Sequence, residues 1–274
     1  MSLRLAPLAA ALACAACAAC AELGVVGDGT TVSVGAAADG FLVDGAELPD
    51  RGVGYVVPAR WRARGSQWGT DELVGLIVHT GARLAAALPG ATLGVADLSR
   101  AGGGLGPHHR SHQTGRDVDL LFFATDRRGR SVALEEMRHF GEDGTTVDGG
   151  PPLRFDVART WALVRTLITD RDVAIDHLFI YAPLRSMLLD HARATGEPEA
   201  LVAWAGELLS QPGDSAPHDD HLHVRIRCPR GDAACRDGSR PRIKKPAELL
   251  PARLVEQLTA RPIVGAPWLH GPRW

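Results

Sequence analysis

Histidine is concentrated in two short stretches of this sequence, residues 108–112 and 218–223. These stretches hold six of the eleven histidines in the 274-residue chain, and the second also holds two aspartates. Zinc prefers neutral imidazoles and carboxylates at about 2.0–2.2 Å in a tetrahedral arrangement, and catalytic sites keep three protein ligands and one open position. The two stretches therefore predict metal-dependent chemistry.

The spacing of these residues favours one shared site. Six residues separate His112 from Asp119, which lies in a run that turns wholly apolar. Alternate residues of a strand point to the same side, so His221 and His223 project together from one strand. Gly115 can relax the backbone so that His112 folds back beside Asp119. A solvated polar surface is the alternative for any single histidine, but the two motifs together predict a metal site.

Asp117 shares a strand face with Asp119, and two roles are open for it. It can orient one of the histidines, as carboxylates behind metal-binding imidazoles often do. It can equally well pair with Arg116 or Arg225 at the end of the strand.

Two stretches also carry a resemblance to a known family. Residues 111–119 read Ser-His-Gln-Thr-Gly-Arg-Asp-Val-Asp, and residues 218–225 read His-Asp-Asp-His-Leu-His-Val-Arg. Together they resemble the penicillin-insensitive murein endopeptidase family, part of a wider group of zinc peptidases that includes lysostaphin and the D-Ala-D-Ala peptidases. The resemblance runs from about Arg60 to Cys235. The family's further cysteine pairs are missing here, so only part of its disulfide framework is expected.

The resemblance implies a role for each residue that matches the family's motifs. Three match zinc ligands: His112, Asp119 and His223. His221 matches the catalytic histidine of His-x-His, and His218 matches its partner, with support of His221 as the alternative role. His109 matches a histidine beside the metal, either as an extra ligand or as a supporting group.

The expected cofactor is therefore Zn²⁺, and the expected reaction is hydrolysis by metal-activated water. Zinc lowers the pKa of a bound water toward about 7. His221 would accept the proton and return one to the leaving amine. No nucleophilic serine takes part, so β-lactams should not inhibit the enzyme.

Two other functions remain open at this point. A D-Ala-D-Ala dipeptidase or carboxypeptidase would use the same metal core and clamp a free carboxylate with Arg110, Arg116 or Arg225. A non-catalytic, exported metal- or wall-binding protein is the other alternative. Net charge is −2, which does not favour a nucleic-acid partner. The predicted partners are the cross-link peptides of peptidoglycan.

The elements that must position these residues can be read from capping and periodicity. The predicted strands are Thr92–Leu98, Asp117–Phe123, Val173–Ile180 and His221–Cys228. The predicted helices begin at Thr70, Asp156, Pro183 and Glu199, and a further short helix is expected from Leu250. Gly102–Gly104 opens a loop, and Asp126–Gly150 is expected to be a long surface loop.

These elements predict an α+β fold in a single domain. A central, mainly antiparallel sheet would carry the zinc site, with helices and long loops around it. The predicted segments are a signal at 1–20, an irregular lead-in at 21–59 with one or two edge strands, and the zinc endopeptidase domain at 60–274.

The N-terminus and the cysteines predict export to the periplasm. A basic start and an uncharged apolar run over Leu5–Ala19 are typical of a secretory signal. Cys20 is the favoured lipid attachment site if the chain is membrane-tethered, which is an equally weighted alternative. Cys228 and Cys235 predict a disulfide worth about 2.5 kcal/mol in the chain-entropy model.

Overall fold

The computed structural model describes residues 29–213 and 215–238. In these ranges the strands are β1 (Val32–Ala36), β2 (Asp39–Val43), β3 (Ala46–Glu47), β4 (Arg51–Gly52), β5 (Tyr55–Val56), β6 (Trp68–Gly69), β7 (Leu93–Gly94), β8 (Asp117–Leu121), β9 (Ala124–Thr125), β10 (Ser131–Val132), β11 (Arg154–Phe155), β12 (Ile175–Phe179), β13 (Leu209–Ser210) and β14 (His221–Ile226). The helices are α1 (Ala59–Arg62), α2 (Asp71–Ala87), α3 (Val157–Ile168), α4 (Ala182–Ala194) and α5 (Glu199–Leu208). The predicted signal segment and the predicted helix from Leu250 lie outside the described residues.

The central sheet has four strands in the order β13-β12-β14-β8. β14 runs antiparallel to both β12 and β8, and β13 joins β12 in parallel. In the β14–β8 register, His223 lies opposite Asp119 and Arg225 lies opposite Asp117. Side chains opposite each other on neighbouring strands are close enough to interact directly. The predicted α+β fold with a mainly antiparallel central sheet is confirmed.

The helices α2 and α3 begin where the sequence predicts, because a polar side chain caps the free amides of each. Thr70 accepts a hydrogen bond from Leu73 N at the start of α2, and Asp156 accepts one from Arg159 N at the start of α3. Pro183 lies in the first turn of α4, as expected. α2 packs on α3, α3 on α4 and α4 on α5. Their apolar faces share one hydrophobic core with the sheet.

The strand predicted over Thr92–Leu98 is a strand only at Leu93–Gly94, so that prediction is wrong for most of its length. Beyond it the backbone amides change partners at each step. Val95 N donates to β5 at 2.9 Å, Ala96 N donates to β8 at 2.8 Å, and Leu98 N donates to the turn before β6 at 2.7 Å. No continuous ladder forms, and the segment is instead held beside the central sheet.

The predicted surface loop Asp126–Gly150 is only partly at the surface. It contains β10, and the side chain of Phe140 within it is fully buried. The Phe140 ring lies edge-on to Phe122 and Phe155, with centroids 6.0 and 5.8 Å apart. The prediction missed this anchor because one aromatic residue in a charged, Gly-rich segment produces no periodic pattern.

The described part of the lead-in is more regular than expected. β1 and β2 form a hairpin, β3 pairs with β6, and β4 and β5 form a sheet with β7. Leu48, Tyr55 and Val57 are buried in the same core as the rest of the chain. The domain boundary at residue 60 stays a prediction.

The predicted disulfide between Cys228 and Cys235 is confirmed. The loop that it closes pairs with β1, because Gly35 N donates to Ala234 O and Arg236 N donates to Gly35 O, each at 2.9 Å. Among the described residues, none of the helices has both the length and the apolar character needed to span a bilayer.

Candidate metal centre

His112 is a buried residue on a loop, and its backbone has a conformation that few residues other than glycine adopt. Its φ is 67°, in the left-handed region, which costs of order 1–3 kcal/mol for a residue other than glycine. Ser99 Oγ donates a hydrogen bond to His112 O, and His112 Nδ1 bonds to Leu98 O at 3.0 Å. Gly115 is also left-handed, with φ of 71°, as the predicted turn back towards β8 requires.

Three ligand atoms from separate parts of the chain converge. His112 Nε2 lies 3.3 Å from Asp119 Oδ1 and 3.3 Å from His223 Nδ1. His223 Nδ1 lies 3.0 Å from Asp119 Oδ1. Ligand atoms bonded tetrahedrally to zinc at about 2.0–2.1 Å lie about 3.3–3.4 Å apart. The triangle therefore has nearly the size that a zinc ion needs.

The hydrogen-bonding partners of the two imidazoles assign their tautomers. Leu98 O only accepts, so the proton of a neutral His112 ring is on Nδ1 and its Nε2 carries a lone pair. His223 Nε2 lies 2.9 Å from Asp117 Oδ1, so its proton is on Nε2 and its Nδ1 carries a lone pair. Both lone pairs point at the Asp119 carboxylate. In these neutral tautomers three electron-pair donors face one another, and such an arrangement fits a cation.

Asp119 within this triangle and Asp117 behind it are both fully buried and ionised. Burial alone would raise the pKa of Asp117, but Arg225 and the hydrogen-bonded His223 hold that pKa well below its usual range. Burial also opposes ionisation of Asp119, whose pKa the neighbouring histidines hold well below its usual range. Asp119 Oδ2 is buried and has no hydrogen-bond partner among the described residues. The donor set therefore fits a divalent metal ion.

His221 lies beside this triangle and uses the opposite ring nitrogen. Its Nε2 lies 3.3 Å from Asp119 Oδ1, and its Nδ1 lies 2.6 Å from Asp220 Oδ1. Burial would lower the pKa of His221, but Asp119 and Asp220 together raise it to about 10. The positive charge of the protonated His221 ring thus partly balances the two carboxylates. A bound cation would take over part of this balancing.

His218 is close to both histidines of β14 and stays neutral. Its ring centroid lies 5.0 Å from that of His221 and 5.6 Å from that of His223. Burial, followed by the charges of these two histidines, lowers the pKa of His218 to about 4. Its buried Nδ1 has no hydrogen-bond partner among the described residues. A neutral imidazole with an unused nitrogen is thus available at the site.

His109 lies next to the triangle and bonds to a different carboxylate, that of Asp97. Its Nε2 is 2.8 Å from Asp97 Oδ2 and 3.6 Å from Asp119 Oδ2. Its ring centroid is 4.3 Å from that of His112, and Arg64 also bonds to Asp97. This position is compatible with both predicted roles of His109, as an extra ligand or as a supporting group.

Asp117 takes both of the roles that were open for it. One oxygen, Oδ1, bonds to His223 Nε2 and also to Arg225 Nε at 2.6 Å. Arg116 turns away from it, is almost fully buried, and bonds to Asp237 at 3.1 Å. Asp117 therefore orients a histidine and pairs with an arginine at the same time.

The structure brings all six predicted site residues together. They fall into two groups of possible metal-binding side chains: His218, His221 and His223, and His109, His112 and Asp119. A third group, which was not predicted, consists of His139, Asp219 and Asp220.

Sequence reasoning missed the partners that hold the predicted histidines. Asp220 directly precedes His221, so its contact could have been considered. His139 lies 80 residues before Asp219, and no local pattern links them. Asp97 lies in the segment predicted as a strand over Thr92–Leu98, and a strand pattern gives no sign of its contact with His109.

Comparison with known proteins gives one consistent result. The family model described as penicillin-insensitive murein endopeptidase matches residues 33–248. The chain is 27% identical over 219 residues to a protein of that name from Klebsiella pneumoniae (strain 342). It is 26% identical over 220 residues to one from Escherichia coli (strain K12 / DH10B). Each alignment covers 78% of this chain and 72% of the relative.

Proposed function

The chain belongs to the penicillin-insensitive murein endopeptidase family, and we propose that it is a zinc metalloendopeptidase that hydrolyses D-amino-acid-containing peptide cross-links in peptidoglycan. One observation carries the proposal: His112 Nε2, Asp119 Oδ1 and His223 Nδ1 converge at 3.0–3.3 Å with their lone pairs facing one another. Two imidazoles and a carboxylate match the ligands that catalytic zinc sites use. We assign the metal-binding role to these three side chains.

The residues around this triangle supply proton transfer and substrate binding. When bound, zinc would lower the pKa of a water molecule and polarise the scissile carbonyl. His221 presents Nε2 on the Asp119 side, where it can take a proton from the attacking water and pass one to the leaving amine. The neutral His218 offers a hydrogen bond to the substrate. No serine is acylated in this scheme, so β-lactams have no target here.

The arginines give less support to the carboxypeptidase alternative. That activity needs a cation free to clamp a terminal carboxylate. Arg116 is buried and bonded to Asp237, and Arg225 is bonded to Asp117. Of the three candidates, Arg110 alone is exposed. Cleavage within a cross-link is therefore the favoured reaction.

Action on peptidoglycan requires export, and we propose a periplasmic location with or without a lipid anchor at Cys20. The Cys228–Cys235 disulfide supports an oxidising compartment. Mass spectrometry of the mature N-terminus would distinguish a free chain from a lipid-modified one.

Digestion of purified peptidoglycan tests the proposed activity. The protein, stripped with a chelator and then reloaded with zinc, should convert cross-linked muropeptide dimers to monomers. The stripped protein should not, and magnesium should not replace zinc. Release of a single D-alanine from uncross-linked pentapeptides would favour the carboxypeptidase. Absence of either product with one zinc bound per chain would favour a non-catalytic binding protein.

A further inference from the structure

His221 has two ring nitrogens in different surroundings. Nε2 faces Asp119 Oδ1 at 3.3 Å, inside the metal centre. Nδ1 lies 2.6 Å from Asp220 Oδ1, on the side of the ring away from Asp119. A carboxylate is an acceptor, so a neutral His221 carries its proton on Nδ1 and presents a lone pair at Nε2.

Asp220 is itself held by the long loop that follows β10. His139 Nδ1 bonds to Asp219 Oδ1 at 2.8 Å, and His139 Nε2 lies 3.9 Å from Asp220 Oδ2. The backbone supports the same arrangement, because Phe140 N donates to Asp219 O at 2.9 Å and the Phe140 ring is fully buried. The segment before β14 is therefore anchored on the hydrophobic core through the loop.

We propose that Asp220 is a positioning residue that holds the His221 ring with Nε2 towards the metal centre. The proposal rests on the proposed function, in which His221 moves the proton. A rotation of the imidazole by 180° about its Cβ–Cγ bond exchanges Nδ1 with Cδ2 and Nε2 with Cε1, and the tautomer can change in solution. A fixed acceptor at Nδ1 favours one orientation and one tautomer. Among the described residues, the side chain that bonds to His221 Nδ1 is that of Asp220.

The neighbouring Asp219 provides a matched control. Asp219 has the same side chain as Asp220 and also lies beside His139, but it bonds to His139 and does not bond to His221. Asp219→Ala removes the side-chain bond to His139 but keeps the backbone bond from Phe140 N to Asp219 O, and Asp220 remains the acceptor at His221 Nδ1. A difference between Asp219→Ala and Asp220→Ala isolates the contact with His221.

Kinetics on a cross-linked muropeptide test the role. Asp220→Ala should lower kcat by about 10- to 100-fold, part of the typical contribution of general acid–base catalysis, with KM within about twofold and one zinc retained. Asp219→Ala should stay within about threefold of the parent protein. In a His221→Ala background, Asp220→Ala should have no further effect, because Asp220 acts through that ring. Unchanged kcat in Asp220→Ala, or an equal further loss in the His221→Ala background, would overturn the proposal.

A second measurement does not depend on turnover. Long-range ¹H–¹⁵N correlation spectra of the zinc-loaded protein, with labelled histidine, should show His221 protonated on Nδ1 and lose this preference in Asp220→Ala. His221 is assigned from the signal missing in His221→Ala. A ring protonated on Nε2, or an unchanged spectrum in Asp220→Ala, would contradict the positioning role. If the parent protein has no turnover but the spectra behave as expected, the proposed function fails and the positioning role holds.

Discussion

His221 and His223 are two residues apart on one strand, yet their rings face the centre with opposite nitrogens. His223 directs Nδ1 at Asp119 and bonds through Nε2 to Asp117. His221 directs Nε2 at Asp119 and bonds through Nδ1 to Asp220. In both cases a carboxylate accepts a hydrogen bond from the outward nitrogen, so the inward nitrogen of the neutral ring carries a lone pair.

The surroundings of the two rings separate their roles. The side chain of His223 is 5% exposed and lies between two fully buried aspartates, one of them bonded to Arg225. The side chain of His221 is 14% exposed, and its Asp220 partner is 16% exposed. A buried, doubly held imidazole suits a metal ligand. A ring nearer the surface suits proton transfer with a substrate.

The largest expected effect is from His223→Ala. Removing one of the three proposed ligands should abolish stoichiometric zinc binding and with it all measurable turnover on cross-linked muropeptides. Metal analysis of the purified variant, together with circular dichroism to check the fold, tests this. Full zinc content with an unchanged fold would refute the assignment of His223 as a ligand.

His221→Ala should separate chemistry from metal binding. It should keep one zinc per chain while turnover falls by 10²–10⁴-fold, or roughly 3–5 kcal/mol of barrier. Zinc stoichiometry and turnover are measured on the same preparation. Turnover near that of the parent protein, or metal loss as large as in His223→Ala, would erase the difference between the two histidines.

Asp117→Asn should weaken the metal site without removing a ligand. The asparagine amide oxygen accepts a weaker hydrogen bond from His223 Nε2 than a carboxylate does. It also carries no charge to pair with Arg225. Carboxylates behind metal-binding histidines typically contribute about 10- to 100-fold in metal affinity. Competition with a chromogenic chelator measures the zinc dissociation constant. An affinity equal to that of the parent protein would mean that Asp117 serves only the arginine.

The smallest expected effect is the rise in Tm that zinc causes, and it again distinguishes His221 from His223. A ligand that binds only the folded state stabilises it by about 2.7 kcal/mol at a free concentration 100 times its Kd. For a domain of this size that is roughly 5–10 °C in Tm. Calorimetry with and without zinc should give this shift in the parent protein and in His221→Ala, but not in His223→Ala. Loss of the shift in His221→Ala would make His221 a ligand.

Much of the fold could be predicted because its signals are local. The cap at Thr70, the cap at Asp156 and Pro183 at the start of α4 each depend on one residue and its near neighbours. Cys228 and Cys235 are the two cysteines outside the predicted signal segment, so their pairing was unambiguous. The two wrong predictions concern non-local features. The segment after β7 changes hydrogen-bond partners residue by residue, and the loop after β10 is anchored by the buried Phe140.

The sequence by itself determined which residues share a strand face and where the chain turns back, because strand alternation and a glycine turn depend on local geometry. It placed His221 and His223 on one face and brought His112 back towards Asp119. The full set of site residues followed from the family resemblance. Only the tertiary structure decided which nitrogen of each ring faces inward. That choice depends on acceptors reached through the fold: a backbone carbonyl beside β8, a carboxylate on a neighbouring strand, and Asp220, whose position is held by a loop some 80 residues away. Ring orientation follows from such non-local partners, which no spacing along the chain encodes.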